Sequence, residues 1–225
     1  MTYEKYIKRS YENIWGSLKG EFTQEKVSYF DIHPSETVLD FISFLEERDV
    51  SGSVLDVGCG NARNTIAFAQ KGYDAYGTDV AGQAIKLARK HLKLKGVSVD
   101  LKNASVFNLP YPDNSFDIVI DFGCLHHLRK SEWNKYQRNI LRVLKDKGYY
   151  YLYCFSVNTP YIQGHRRPKN RNWVTHGNMH HCHYFSYDEV INYFGKKFSI
   201  LRKYEWTKDD YPERFKVFYM QKRDR

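Results

Sequence analysis

The stretch Val54-Leu55-Asp56-Val57-Gly58-Cys59-Gly60-Asn61-Ala62-Arg63 constrains the fold more than any other part of the chain. An apolar strand ends in an acid, and a glycine-bracketed turn then opens a helix. Gly58 and Gly60 admit tight or positive-φ geometry and let a ligand approach bare backbone, while the helix start points unpaired N–H groups at any anionic part of that ligand. Glycines also end strands for structural reasons alone. What marks this turn as a ligand site is Asp79, which ends the next expected strand, Tyr76-Gly77-Thr78-Asp79. A carboxylate there is placed to accept both hydroxyls of a ribose.

Two ligand classes use this geometry, and the residues around the glycines separate them. A dinucleotide site wants Gly or Ala three positions past the second glycine, where this chain has Arg63. Asp56 would also set a carboxylate near the phosphates that a dinucleotide buries, at a Coulombic cost in a partly desolvated site. S-adenosyl-L-methionine carries an ammonium, a carboxylate, a ribose and an adenine. It matches an acid at Asp56, open backbone from Gly58 to Gly60, and an acid at Asp79 part by part.

Further along stand Leu109-Pro110-Tyr111-Pro112-Asp113-Asn114-Ser115-Phe116-Asp117-Ile118-Val119-Ile120 and Leu125-His126-His127-Leu128. With the glycine motif, their order and spacing resemble the class I S-adenosylmethionine-dependent methyltransferases, particularly the small single-domain group. The resemblance covers about residues 51–156. It implies a doubly wound, Rossmann-like α/β fold with a seven-stranded sheet, mostly parallel with an antiparallel C-terminal strand. It also implies a cofactor set of Asp56, Gly58, Cys59, Gly60, Asp79, Val80, Ser105, Val106, Asp121 and Phe122. Ser105 falls where the family usually has its adenine-binding acid, and a hydroxyl there still accepts from the adenine amino group without charge.

Composition agrees with one soluble, enzyme-sized unit. At 225 residues the chain is long enough to bury most of its apolar surface. No apolar run approaches the ~20 residues that span a bilayer, and Met1-Thr2-Tyr3-Glu4-Lys5 begins no signal peptide, so a cytoplasmic protein is expected. Four cysteines without paired spacing read as reduced thiols. The formal charge of +9 matters only where it clusters, as in His165-Arg166-Arg167-Pro168-Lys169-Asn170-Arg171-Asn172-Trp173. That segment reads as a solvated excursion first, then as an anion-binding lid, then as an RNA contact.

Alternation of strands and helices predicts a doubly wound parallel sheet. Expected strands are 53–57, 74–79, 97–101, 116–120 and 148–155, and expected helices are 37–46, 61–70, 81–94 and 131–144. In the third helix Ala84, Ile85, Ala88 and Leu92 keep helical spacing and Gly96 stops it; in the fourth Ile140, Leu141 and Leu144 face inward. A structureless run follows from 156 to 183, longer than loops in compact domains usually are. Ser186-Tyr187-Asp188-Glu189 is a capping box for a helix to about residue 194, and 198–204 with 214–220 closes the sheet as a hairpin. The chain thus divides into a helical cap (1–50), a cofactor core (51–156), a substrate lid (157–183) and a closing helix and hairpin (184–225) within one domain.

Ligands of such sheets bind outside the carboxyl ends of the strands, which gathers Asp56, Asp79, Ser105, Asp121, Cys124, His126 and Cys154 around one crevice. Methyl transfer is an in-line displacement on an activated carbon, so orientation can supply most of the catalysis, up to ~7 to 11 kcal/mol. If the acceptor carries a proton, His126 is the first candidate base, for its near-neutral pKa, and Asp121 the second. The cluster His176-Gly177-Asn178-Met179-His180-His181-Cys182-His183 matches no structural zinc spacing, so no metal is assigned. Tyr6, Tyr11 and Trp15 share roughly one helix face, which reads first as core packing; the second reading, since related enzymes often roof the cofactor with such a helix, brings Tyr11 or Trp15 into the site. The expected function is methyl transfer from S-adenosyl-L-methionine to an oxygen, nitrogen or sulfur atom of a small molecule, by a monomer or homodimer away from membranes. A tRNA or other RNA methyltransferase is the second reading, and a non-catalytic S-adenosylmethionine-binding protein the third.

Overall fold

The computed structural model describes residues 2–17, 32–162, 173–176, 179–208 and 211–224. The near-continuous apolar runs form the parallel centre of the sheet: β1 (Ser53–Val57), β2 (Asp74–Asp79), β3 (Asp100–Asn103), β4 (Phe116–Phe122) and β5 (Leu144–Phe155). A separate antiparallel pair, β6 (Trp173–His176) with β7 (Met179–His183), precedes β8 (Phe198–Lys208) and β9 (Tyr211–Lys222). The large sheet has seven strands in the order β3-β2-β1-β4-β5-β9-β8. β9 runs antiparallel to both neighbours, so it alone is reversed within the sheet, as the sequence reading expects.

Side-chain alternation divides the core between the two faces. Leu55, Val119, Tyr150 and Leu152 pack under α5 (Trp133–Val143) and α6 (Tyr187–Phe194). On the opposite face, Val54, Ile118, Ile120 and Tyr151 pack under α2 (Glu36–Glu46) and α3 (Arg63–Gln70). α4 (Gly82–Lys95) closes on Leu101 through Ile85, Ala88 and Leu92, and Gly96 ends it at φ +65. α6 begins as expected, Ser186 Oγ accepting from the Glu189 N–H at 3.1 Å. The N-terminal helix α1 (Tyr3–Gly16) lies across the start of α4, where the Glu12 carboxylate accepts from Gly82 N at 2.7 Å and Gln83 N at 3.1 Å. Two unpaired helix-end donors are thereby satisfied by a side chain from another element.

Several expected boundaries move, each for a pairing reason. β3 starts at Asp100 rather than 97, because Tyr76 is the first β2 residue with a β3 partner. β4 runs two residues beyond 120, since Asp121 and Phe122 still pair with Leu152 and Tyr153. Leu144 pairs with Phe116 and so belongs to β5, not to the preceding helix, with a bulge before Tyr149. The helix after the glycine turn begins at Arg63, because Ala62 takes a left-handed conformation at φ 62 instead of the first helical position. The run expected to be structureless contains the β6–β7 hairpin, in which Trp173 pairs with His183 and Val174 with Cys182. A strand of mixed polarity and histidine content has no clean period-2 pattern, so its pairing is invisible without the partner.

Candidate functional site

At the β1/β4 boundary the strand order reverses direction, which leaves a crevice at the carboxyl ends of these strands. The glycine turn sits there. Gly58 N and Cys59 N both donate to Thr78 O, at 2.7 and 2.9 Å, tying the turn to the end of β2. Gly58 has φ +74, and a Cβ on it would lie 3.0 Å from Cys124 Cβ; Gly60 has φ +55, and a Cβ there would lie 2.8 Å from the Trp15 ring. Both positions therefore demand glycine twice over, by backbone conformation and by space.

Each acid has a defined local task. Asp79 Oδ2 accepts from Gly60 N at 3.0 Å and Oδ1 from Ala81 N at 2.8 Å. Burial pushes its pKa up to about 6 against the pull of those two N–H groups. Asp56 Oδ2 accepts from Thr65 Oγ1 at 2.6 Å, and burial raises its pKa to about 7, with the neighbouring Asp121 and Asp79 charges adding to the rise. Two buried carboxyls whose pKa values burial raises, Asp56 with a partial offset from the Arg63 charge, favour a ligand that brings positive charge or hydroxyl donors.

A cavity of about 480 Å³ opens between this turn and α1, within the ~300–1,000 Å³ of small-molecule sites. Asp56, Gly58, Cys59, Gly60, Asp79 and Val80 line it. Ser105, Val106 and Phe122 line it from the strand ends, and Tyr11 and Trp15 from α1. Ser105 Oγ also accepts from Phe107 N at 3.2 Å, so the hydroxyl shapes its own loop. Tyr11 stands edge-on to the His127 ring at 5.4 Å, and the Tyr3 hydroxyl donates to His127 O at 2.6 Å, so two side chains of α1 hold it against His127.

The two candidate bases are placed differently from expectation. Asp121 is fully buried and does not line the cavity. Its Oδ1 accepts from Cys124 N at 2.6 Å, and its Oδ2 from Leu125 N at 3.0 Å and from the Tyr136 hydroxyl at 2.5 Å. The Tyr136 hydroxyl meets that of Tyr150 at 2.6 Å. Burial holds the Asp121 pKa at about 7 despite these donors. Its geometry anchors the turn after β4 and offers no oxygen to a ligand. His126 does line the cavity, but Nδ1 accepts from Phe155 N at 3.3 Å and Nε2 meets His127 Nε2 at 3.0 Å. A backbone N–H only donates, so the neutral ring carries its proton on Nε2 and its lone pair is already engaged. Burial, with His127 and His183 nearby, holds its pKa well below the usual imidazole value. His127 Nδ1 in turn faces Cys182 Sγ at 3.5 Å.

Among the described residues, no group of three His, Cys, Asp or Glu side chains is arranged to hold a metal ion. His183 instead pairs with Glu189, Nε2 to Oε2 2.7 Å, beside the Trp133 ring. The basic residues Arg166, Arg167, Lys169 and Arg171 lie outside the described residues. Sequence reasoning missed Glu12, Thr65 and Tyr136, whose partners are 70, 9 and 15 residues away and carry no motif. It also missed Tyr153, Trp206 and Phe215, which line the cavity from β5, β8 and β9. Tyr153 and Phe215 stand in expected strands, whereas Trp206 lies beyond the expected 198–204, on the part of β8 that runs on to Lys208.

A doubly wound sheet with an acid-flanked glycine turn at its switch point, and one reversed strand next to its far edge, defines a Rossmann-like α/β fold. Residues 54–148 match the family model of a methyltransferase domain. It is 30% identical over 117 residues to the 2-heptyl-1-hydroxyquinolin-4(1H)-one methyltransferase of Mycobacteroides abscessus, covering 52% of each chain. It is 32% identical over 164 residues to the demethylmenaquinone methyltransferase of Listeria monocytogenes, covering 70% of this chain and 61% of that one. The chain thus spans between about half and three fifths of the length of these two relatives. Among solved structures, the 1,6-didemethyltoxoflavin-N1-methyltransferase of Burkholderia thailandensis superposes with a TM-score of 0.74 at 16% identity, covering 100% of this chain and 92% of that one. The magnesium protoporphyrin IX methyltransferase of Synechocystis gives 0.72 at 17% identity, covering 97% and 99%. At these identities the likeness concerns the fold.

Proposed function

We propose that the protein transfers a methyl group from S-adenosyl-L-methionine to a small molecule. One observation carries the reading: Asp56, the Gly58–Gly60 turn and Asp79 face a single cavity roofed by Trp15 and Tyr11. Asp79 would accept from the ribose hydroxyls, the bare turn would pass the amino-acid part, and Val80, Ser105 and Val106 would frame the adenine. When bound, S-adenosyl-L-methionine would supply an activated methyl carbon for the acceptor's lone pair, with the carbon–sulfur electrons left on sulfur. Relatives named for quinolone and demethylmenaquinone methylation support a small-molecule acceptor.

Orientation, not a protein base, drives the step. His126, whose lone pair is occupied, and Asp121, which is turned toward the backbone, are positioning residues for the loop at the transfer end, and an acceptor proton passes to solvent. One domain in the cytoplasm, monomeric or dimeric, is the accompanying reading. The four cysteines are free thiols, and no helix among the described residues is long and apolar enough to cross a membrane.

The test is S-adenosylhomocysteine release against metabolite and tRNA pools with the parent and His126→Ala. We expect turnover on a small acceptor, a loss of less than about tenfold in the variant, and no imidazole inflection in the pH profile. A loss of ~10²-fold or more with an inflection near neutrality restores His126 as general base. A tight tRNA complex that loosens steeply with salt, and less so once Arg166, Arg167, Lys169 and Arg171 are neutralised, moves the acceptor to RNA.

A further inference from the structure

Four neighbouring strands bring an aromatic side chain to the same end of one sheet face: Phe122 on β4, Tyr153 on β5, Phe215 on β9 and Trp206 on β8. All four line the cavity. Register sets Phe122 beside Tyr153 and Phe215 beside Trp206. Phe122 and Tyr153 stack with centroids 4.2 Å apart and planes 12° apart, and Tyr153 and Phe215 repeat this at 4.4 Å and 18°. Trp206 ends the row, 6.0 Å from Phe215 and tilted by 54°.

The arrangement limits what the row offers. Both faces of Tyr153 are covered by its neighbours, so it shows the cavity an edge, and the outer face of Phe122 lies under the Arg63 guanidinium at 5.2 Å. Ring edges carry the positive side of the aromatic quadrupole, which pairs with the electron-rich face of another ring. A row built only for packing would be sealed, yet Phe122 and Trp206 remain half-buried at the cavity. The cofactor roles proposed above fall to residues of β1, β2, the loop after β3 and α1. Phe122, which the resemblance puts in the cofactor set, stands at the β4 end of the row, and Tyr153, Phe215 and Trp206 lie beyond it, on the side left for an acceptor.

We infer that this row is the acceptor wall, and that the acceptor is a planar, electron-rich aromatic or heteroaromatic molecule lying with its face against the ring edges of Tyr153, Phe215 and Trp206. The inference rests on the methyltransferase reading for the identity of the second ligand, but not for the ring preference itself.

Calorimetry separates the two. The probes are 4-hydroxyquinoline and its saturated counterpart decahydroquinolin-4-ol, with the protein free and saturated with S-adenosylhomocysteine. We expect the flat probe to bind at least tenfold tighter than the saturated one. Trp206→Ala should remove at least fivefold of that difference and Trp206→Phe should restore most of it, while S-adenosylhomocysteine affinity stays within twofold and so reports an intact fold. Equal binding of the two probes, no measurable binding of the flat one, or indifference to Trp206→Ala overturns the inference. Ring preference and Trp206 dependence without any S-adenosylhomocysteine binding would instead leave the aromatic site standing and remove the methyltransferase reading.

Discussion

The Asp79 oxygens accept from Gly60 N and Ala81 N, so contacts within the chain shape the turn, and burial raises its pKa to about 6. A ribose binds the ionised form by charge-assisted bonds worth ~1.5 to 3 kcal/mol each. Cofactor affinity should therefore rise with pH through about 6 and level off above it, and binding below that pH should release a proton to buffer. Calorimetry in buffers of different ionisation enthalpy reads that proton directly. Asp79→Ala should weaken S-adenosylmethionine binding at least tenfold in a folded protein; unchanged affinity would remove Asp79 from the site. The place of this residue in the cavity was legible in the sequence, because it stands at the end of the second strand. His126 was legible as a cavity residue and misleading as a base: the Phe155 N–H that occupies its Nδ1 comes from β5, 29 residues away.

At the scale of elements, α1 is the piece whose place only contacts decide. Its amphipathic spacing says that one face is covered but not by what. In the structure Glu12 caps α4 while Trp15 lies over Gly60, so one helix joins the cap and the turn. Glu12→Ala leaves the donors of Gly82 and Gln83 without their carboxylate and loosens α1, with Trp15 following. Cofactor affinity should fall several-fold, chiefly through faster dissociation in stopped-flow, and Glu12→Gln should recover part of it. A dissociation rate equal to the parent's would show that α1 does not roof the ligand. The β6–β7 pair makes the same point from the other side: its histidine-rich strands lack a period-2 pattern, and the reading of 156–183 as structureless failed there.

Across the whole molecule, buried ionisable groups set the dependence of stability on pH. Asp56, Asp79 and Asp121 have folded pKa values raised to about 7, 6 and 7. Unfolded carboxyls titrate near 4, so between about pH 4 and 7 the folded state binds more protons and stability falls as pH rises. His126 and His91, both lowered by burial, act oppositely: they favour folding above their unfolded value near 6.5 and lose that contribution as pH falls through their folded values. The three acids all titrate within the range from pH 5 to 7, and the expected sign follows them. The urea midpoint of the ligand-free protein should drop between pH 5 and 7.5, and saturating S-adenosylhomocysteine, which favours ionised Asp79, should offset more of the loss at the upper end. A midpoint rising steadily over that range would mean the carboxyls are ionised in the folded state.

Local pattern in the chain was enough for the parallel centre of the sheet, the closing hairpin, the glycine turn and the two strand-end acids, and the family resemblance added the reversal of the last strand. Each of those first four follows from local period, apolar continuity or a residue type that only one backbone geometry accepts. Tertiary structure alone decided that Asp121 faces the backbone and Tyr136, that the His126 lone pair is occupied, that Glu12 caps α4, and that Phe122, Tyr153, Phe215 and Trp206 form one wall. These depend on pairings between distant segments, and strand register and helix docking are settled by summed packing and hydrogen bonding over the whole fold rather than by any stretch of chain.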